Sequence, residues 1–299
     1  MLLNLFRAEW KKIMRNRKPL SFLVWIYPMG ALTIIALVFL TLFSEETEAL
    51  AGQSQGGWPA AFTAAWRLLT DFPTNILTRM PFLAFTALVF AGEYQWQTWK
   101  NIVPRNRRAL LLLAKFVTLA LLLLVALGAT SVIWGGGWSL AKAAIGVENN
   151  PALSAQALAD FAVDYLLEVG LAVTSTLILA GYAALVAMRA RSVLGGVFVS
   201  MGIAVIEPVS LIWLTLIARV LERPGVVRIF RLTPTYNLDN VRAWLLEGHA
   251  TSIVVDNDLF AEIPPINDSL IVSLALLALW IVGLFLLTAY VFNRQDLAS

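Results

Sequence analysis

The sequence predicts an all-α, polytopic membrane protein with six transmembrane helices. Of its 299 residues, 59% are hydrophobic and 14% charged, where a soluble domain carries roughly 25% charged residues; the mean hydropathy is +0.76. Apolar runs long enough to cross a bilayer, about 20 residues each, recur at 20–43, 74–92, 109–134, 161–188, 193–218 and 268–292. The basic residues follow the topology these runs impose. With the N-terminus in the cytoplasm, the inner segments hold Arg7, Lys11, Lys12, Arg15, Arg17, Lys18, Lys100, Arg105, Arg107, Arg108, Lys115, Arg189, Arg191 and Arg294, 14 of the 22 basic residues. Their acids are Glu9, Glu93 and Asp296, 3 of 19. Such a bias sets orientation in a membrane and accounts for the net charge of +3 without nucleic acid.

Each element has its own justification. In residues 1–19, Leu2, Leu3, Leu5, Phe6, Trp10, Ile13 and Met14 recur at three-to-four spacing among Arg7, Lys11, Lys12 and Arg15. That pattern predicts an amphipathic helix in the inner interface, cations toward lipid phosphates. The run after it is too long for the apolar core of a cleaved signal. The first, third and sixth spans are continuous apolar stretches. The second contains Arg79 and Pro81, the fourth begins among acids, and Glu207-Pro208 interrupts the fifth. Between the second and third spans, Glu93-Tyr94-Gln95-Trp96-Gln97-Thr98-Trp99-Lys100-Asn101 is polar, aromatic and basic, and Pro104 should end a helix there. In outer loop 44–73, Trp58 and Trp66 read as interfacial anchors. Loop 135–160 opens on Gly135-Gly136-Gly137 and ends in an Ala-rich helical stretch, and 219–267 is the largest loop, broken by Pro224-Gly225, Pro234 and Pro264-Pro265. The chain reads as a single membrane domain over 1–299.

Several chemistries are excluded by composition. With no cysteine and one histidine, His249, there is no thiolate nucleophile and no paired-histidine zinc motif. No Gly-Lys pair exists, hence no phosphate-binding P-loop. The chain is expected to be neither an enzyme nor the binder of a cofactor or metal.

Charges inside spans mark candidate path or gate residues, because an intramembrane carboxylate normally faces protein or water. Glu207 lies 13 residues beyond Leu194, about 20 Å along a helix, toward the outer side. It reads as an outer gate or, equally, as the partner of Arg79 or Arg219. Asp160, Asp164 and Glu168 share a helical face, as an exit vestibule attractive to cations or as a solvated helix end. Gly195-Gly196 and Gly202 read as a packing face.

Four segments resemble one family: Arg7-Ala8-Glu9-Trp10-Lys11-Lys12; Glu93 to Asn101; Arg105 to Lys115 with its Leu110-Leu111-Leu112-Leu113-Ala114 run; and Phe292-Asn293-Arg294-Gln295-Asp296-Leu297. In order and placement they resemble the six-span permease subunit of type-2 ABC exporters. Members often carry Gly where Gln97 stands, so this copy should be stiffer there. The resemblance implies a coupling helix at 93–104, through Glu93, Tyr94, Trp96, Thr98, Trp99 and Lys100, fitting a separate ATP-binding cassette subunit that binds ATP and Mg. It implies a second permease copy, a re-entrant hairpin before the sixth span with 209–222 as its first arm, and outward movement of a hydrophobic or amphipathic compound: a lipid-like molecule, drug or antimicrobial peptide. The compartment implied is a prokaryotic cytoplasmic membrane, both termini inside. Competing readings are a non-transporting anchor or sensor, and an ion-coupled secondary transporter.

Overall fold

A computed structural model describes residues 2–15, 24–41, 57–71, 75–96, 99, 107–251 and 267–295. The elements are α1 (Leu2–Arg15), α2 (Ile26–Leu40), α3 (Gly57–Arg67), α4 (Asn75–Gln95), α5 (Arg108–Ala144), α6 (Ala155–Ala190), α7 (Val193–Val220), a 3-10 helix (Pro224–Leu232), α8 (Pro234–Leu246) and α9 (Leu270–Asn293). Among the described residues five helices are long and apolar enough to cross a membrane, namely α4, α5, α6, α7 and α9, and α2 is a shorter apolar helix. The protein is a multi-pass membrane protein, all-helical among the described residues. The chain forms two compact units, residues 1–85 with 110–173 and residues 86–109 with 174–299.

In the first unit, α5 overruns its expected end. Its 37 residues extend about 55 Å, well past the ~30 Å hydrocarbon core. Gly135, Gly136 and Gly137 therefore sit inside a helix, not at the opening of a loop. Two of them let neighbours approach: a Cβ at Gly135 would lie 2.4 Å from the Phe62 ring of α3, and one at Gly137 would lie 2.6 Å from Ile35 of α2. The Ala-rich end of that expected loop is helical as anticipated, α6 beginning at Ala155.

The tryptophans of α3 are not interfacial anchors. Trp58 and Trp66 are buried. The Trp58 indole donates to Pro151 O at 2.9 Å and packs on Phe161, centroids 4.7 Å apart; Trp66 meets Tyr165 edge-on at 5.7 Å. Such pairs hold α3 against α6. Ser131 of α5 donates to Phe62 O at 2.6 Å.

Helix α1 also departs from a simple interfacial anchor. Arg7, Lys11 and Arg15 are exposed, yet Glu9 and Ile13, one turn apart, are buried. The Glu9 carboxylate accepts from Lys115 Nζ of α5 at 3.0 Å, with side-chain exposures of 7% and 1%. Lys115 is thus part of an internal ion pair, not a free contributor to the inner positive charge.

In the second unit, Ser192 caps α7, accepting from Gly195 N at 3.3 Å. Gly196 packs where a Cβ would lie 2.9 Å from Ala187, and a Cβ at Gly181 of α6 would lie 2.8 Å from Leu284 of α9. A Cβ added at Gly202 would meet nothing within 4 Å, so the packing expected there falls to Gly196. α7 runs unbroken through Pro208 to Val220, so 209–220 continues the same helix. The chain reverses after α7. The 3-10 helix buries Val227 and Phe230 with Ala218 and Tyr236, and α8 starts beside Glu207. Pro224–Leu246, within the expected loop 219–267, is therefore largely helical. Asn240 of α8 donates to Asp268 O at 2.9 Å and to Ser273 Oγ at 2.8 Å, and the Trp244 indole donates to Asp268 O at 2.9 Å. Arg231 pairs with Asp268 at 2.8 Å. These bonds fasten α8 to the start of α9.

Candidate functional site: an aromatic clamp at the ends of α4, α6 and α9

Helix α4 ends at Gln95, and its last turns carry Glu93 and Tyr94. The expected separate helix from 93 therefore begins inside α4. The Tyr94 hydroxyl donates to Gln295 Oε1 and lies 3.3 Å from Met188 Sδ. The Gln295 amide donates in turn to Met188 O at 2.6 Å. One glutamine side chain so ties α4 to the last turn of α6, just past the end of α9. Arg191 follows α6 with φ of 50°, left-handed backbone that a non-glycine residue rarely adopts. It sets the guanidinium 5.9 Å from the centre of the Tyr94 ring.

Trp99 lies 2% exposed, its ring 4.6 Å from Phe292 and 6.0 Å from Tyr94. Arg108, the first residue of α5, donates through Nη1 to the carbonyls of Phe292, Asn293 and Gln295, the latter two at 3.1 Å. These carbonyls cluster at the C-terminal end of α9, where a helix leaves acceptors short of internal donors, although Phe292 O also accepts from Gln295 N at 3.3 Å; a cation there also complements the helix dipole. The same guanidinium stands 5.3 Å from the Phe292 ring centre.

The clamp fixes both ends of the α4–α5 connection, Tyr94 with Trp99 on one side and Arg108 on the other, to the C-terminal end of α9. Of the six predicted coupling residues, Tyr94 and Trp99 belong to it. Glu93 is 1% exposed. Trp96 is 52% exposed, its ring folded back over Gly92. Thr98 and Lys100 lie outside the described residues. Sequence reasoning missed Met188, Arg191, Arg108 and Gln295 as partners of Tyr94 and Phe292. Three of them are polar, and nothing in their spacing announces contacts with residues up to 201 positions away.

The predicted path residues fall elsewhere. Glu168 is buried and pairs with Arg67 Nε at 2.9 Å; Asp164 is half-buried, and Asp160 is exposed and accepts from Gln156 at 2.8 Å. Arg79 is buried and donates from Nε to Leu69 O at 3.0 Å. Glu207 Oε1 accepts from Thr235 N at 2.7 Å. Thr233 caps α8, accepting from Tyr236 N, and Pro234 occupies its first turn; Glu207 thus satisfies another N-terminal amide. Arg219 stands twelve residues farther along α7, about 18 Å, out of reach of Glu207 within one helix. Among the described residues no three His, Asp or Glu side chains converge as metal ligands.

A family model described as ABC-2 family transporter protein matches residues 5–207, more than half of the chain. The chain belongs to the ABC-2 transporter family. Comparison with curated proteins returned no match. The match runs from α1 through Glu207 in α7, so three of the four resembling segments lie inside it, and the α9 end that closes the clamp lies beyond. In this ABC-2 protein Glu207 is the last matched residue and reaches a segment outside the match.

That contact sets a ranking. Glu207→Gln keeps an acceptor for Thr235 N–H but removes an anion from a helix N-terminus, a loss of about 0.3–1 kcal/mol. Glu207→Leu removes the acceptor too, and leaving a buried donor unmet costs about 1–3 kcal/mol. Thermal unfolding of the purified variants should rank wild type above Gln above Leu. Equal unfolding temperatures would show that this carboxylate does not hold α8.

Proposed function

We propose that this chain is the membrane-spanning permease subunit of an ABC exporter. It moves a hydrophobic or amphipathic compound outward, driven by ATP that a separate, Mg-dependent ATP-binding cassette subunit hydrolyses. A second permease copy completes the path, and the chain itself carries no ATP site. The basic inner segments support a prokaryotic cytoplasmic membrane with both termini inside.

The observation that carries the proposal is the clamp. The α4–α5 connection is where the partner would push, and both of its ends are bonded to α9. A displacement there reaches α9 and α6 through Tyr94, Gln295, Trp99 and Arg108. Trp96, exposed at the edge, is the residue offered to the partner. Trp99 transmits and does not touch it.

The roles predict different losses. In a mild-detergent pull-down from native membranes, Trp96→Ala should weaken recovery of a Walker A–bearing subunit while leaving thermal stability intact. A tryptophan at an interface hot spot carries about 2 kcal/mol or more, roughly 30-fold in affinity. Trp99→Ala should lower stability as well. Recovery of the folded chain alone, with no ATPase in any preparation, would move the anchor or secondary-transporter readings to the front.

A further inference from the structure

The first unit holds a cavity that the clamp does not use. It has a volume of about 380 Å³ and lies among α2, α3, α4 and α5, within the range of ligand pockets, roughly 300–1,000 Å³. Small residues make it: Gly30 and Ala31 of α2 face Ala64 and Ala65 of α3 across the space. A Cβ built at Gly30 meets nothing within 4 Å. The mouth is open, since Gly30, Ile26, Ile34 and Leu77 are all exposed.

Its hydroxyls are already committed. Tyr27 Oη donates to Thr78 O at 2.6 Å, Thr78 Oγ1 donates to Leu68 O, and Thr130 Oγ1 donates to Ala126 O at 2.8 Å. Water in a cavity needs two to four polar partners, whereas apolar cavities stay dry and take apolar guests. The half-buried Trp134 indole, stacked on Trp138, is amphipathic and suits the boundary between a chain and its polar head.

We propose that this cavity is a binding site for a hydrocarbon chain, the acyl or alkyl tail of an amphiphile entering sideways from the bilayer between α2 and α4. α4 and α5 are long and apolar enough to cross a membrane and α2 is a shorter apolar helix, which would set hydrocarbon at the open mouth, and the hydroxyls in the walls already have partners. The site does not rest on the exporter reading.

The test reconstitutes the full chain in phosphatidylethanolamine–phosphatidylglycerol vesicles containing a phosphatidylethanolamine with a diazirine at its acyl terminus. After irradiation, labelled peptides should cluster on residues 26–34 and 64–68. Gly30→Leu, which fills the cavity, should lower that labelling about tenfold, one decade of affinity. Ala64→Leu does the same from the opposite wall and serves if the first variant does not fold. Gly136→Leu, whose Cβ also meets nothing within 4 Å but which does not line the cavity, should label as wild type. Phospholipid retained by the detergent-purified chain in native mass spectrometry marks a resident membrane lipid. Labelling without retention marks an exchanging alkyl chain. Labelling spread evenly onto the exposed side chains of α9, such as Leu279 and Leu286, or unchanged in both filled variants, would overturn the proposal.

Discussion

Lys115→Met should remove about 3–5 kcal/mol of stability, because it leaves the Glu9 carboxylate buried without its cation. The two side chains are 1% and 7% exposed and meet at 3.0 Å, so neither can turn to solvent without moving α1. Replacing both partners, Glu9→Gln with Lys115→Met, should return most of the loss, since a neutral buried pair escapes the desolvation that opposes an ionic one. Thermal unfolding of the singles and the double closes the cycle. The same pair holds Leu2–Arg15 in place. Hydrogen exchange of α1 should therefore rise in the single variant more than exchange of α9 does. A single variant as stable as wild type would mean that α1 docks through Ile13 and its lipid-facing side chains alone.

This pair also shows what the sequence hides. Lys115 and Glu9 are 106 residues apart, and by local reading Lys115 is one more inner cation before an apolar span. Five of the six expected spans were legible because a twenty-residue apolar run has few other uses, while the first has only the shorter apolar helix α2 among the described residues; α7 and α9 begin and end within two residues of expectation. The failures cluster where one residue type serves two purposes. Trp58 and Trp66 fit a membrane interface as well as a packed wall, and what decided was α3, whose eleven residues lie against α6. Glu207 was visible as a charge at depth, but its partner is a backbone amide, which no side-chain pattern displays. The clamp was half legible: Tyr94 and Trp99 stood out as aromatics at a polar connection, whereas Arg108 and Gln295 acquire their roles from the carbonyls and hydroxyl that the fold brings to them.

The glycine run of α5 gives a test in which neighbouring substitutions change sign. Gly137→Ala would place its Cβ 2.6 Å from Ile35 Cγ2, and Gly135→Ala would place its own 2.4 Å from the Phe62 ring. Ile35 is buried, and Phe62 is flanked by Trp58 and Phe161, so neither can yield without disturbing a packed neighbour. Overpacking of this kind costs about 1–3 kcal/mol, more than the ~1 kcal/mol that alanine gains over glycine in a helix. Gly136→Ala meets nothing within 4 Å and should keep that gain. Unfolding temperatures should thus fall, rise and fall along 135, 136 and 137. A loop would give no such alternation, because its glycines would have neither a helix to stabilise nor a neighbour at fixed distance. Three changes of the same sign would mean that α5 ends before Gly135 and that α2 and α3 pack on something else.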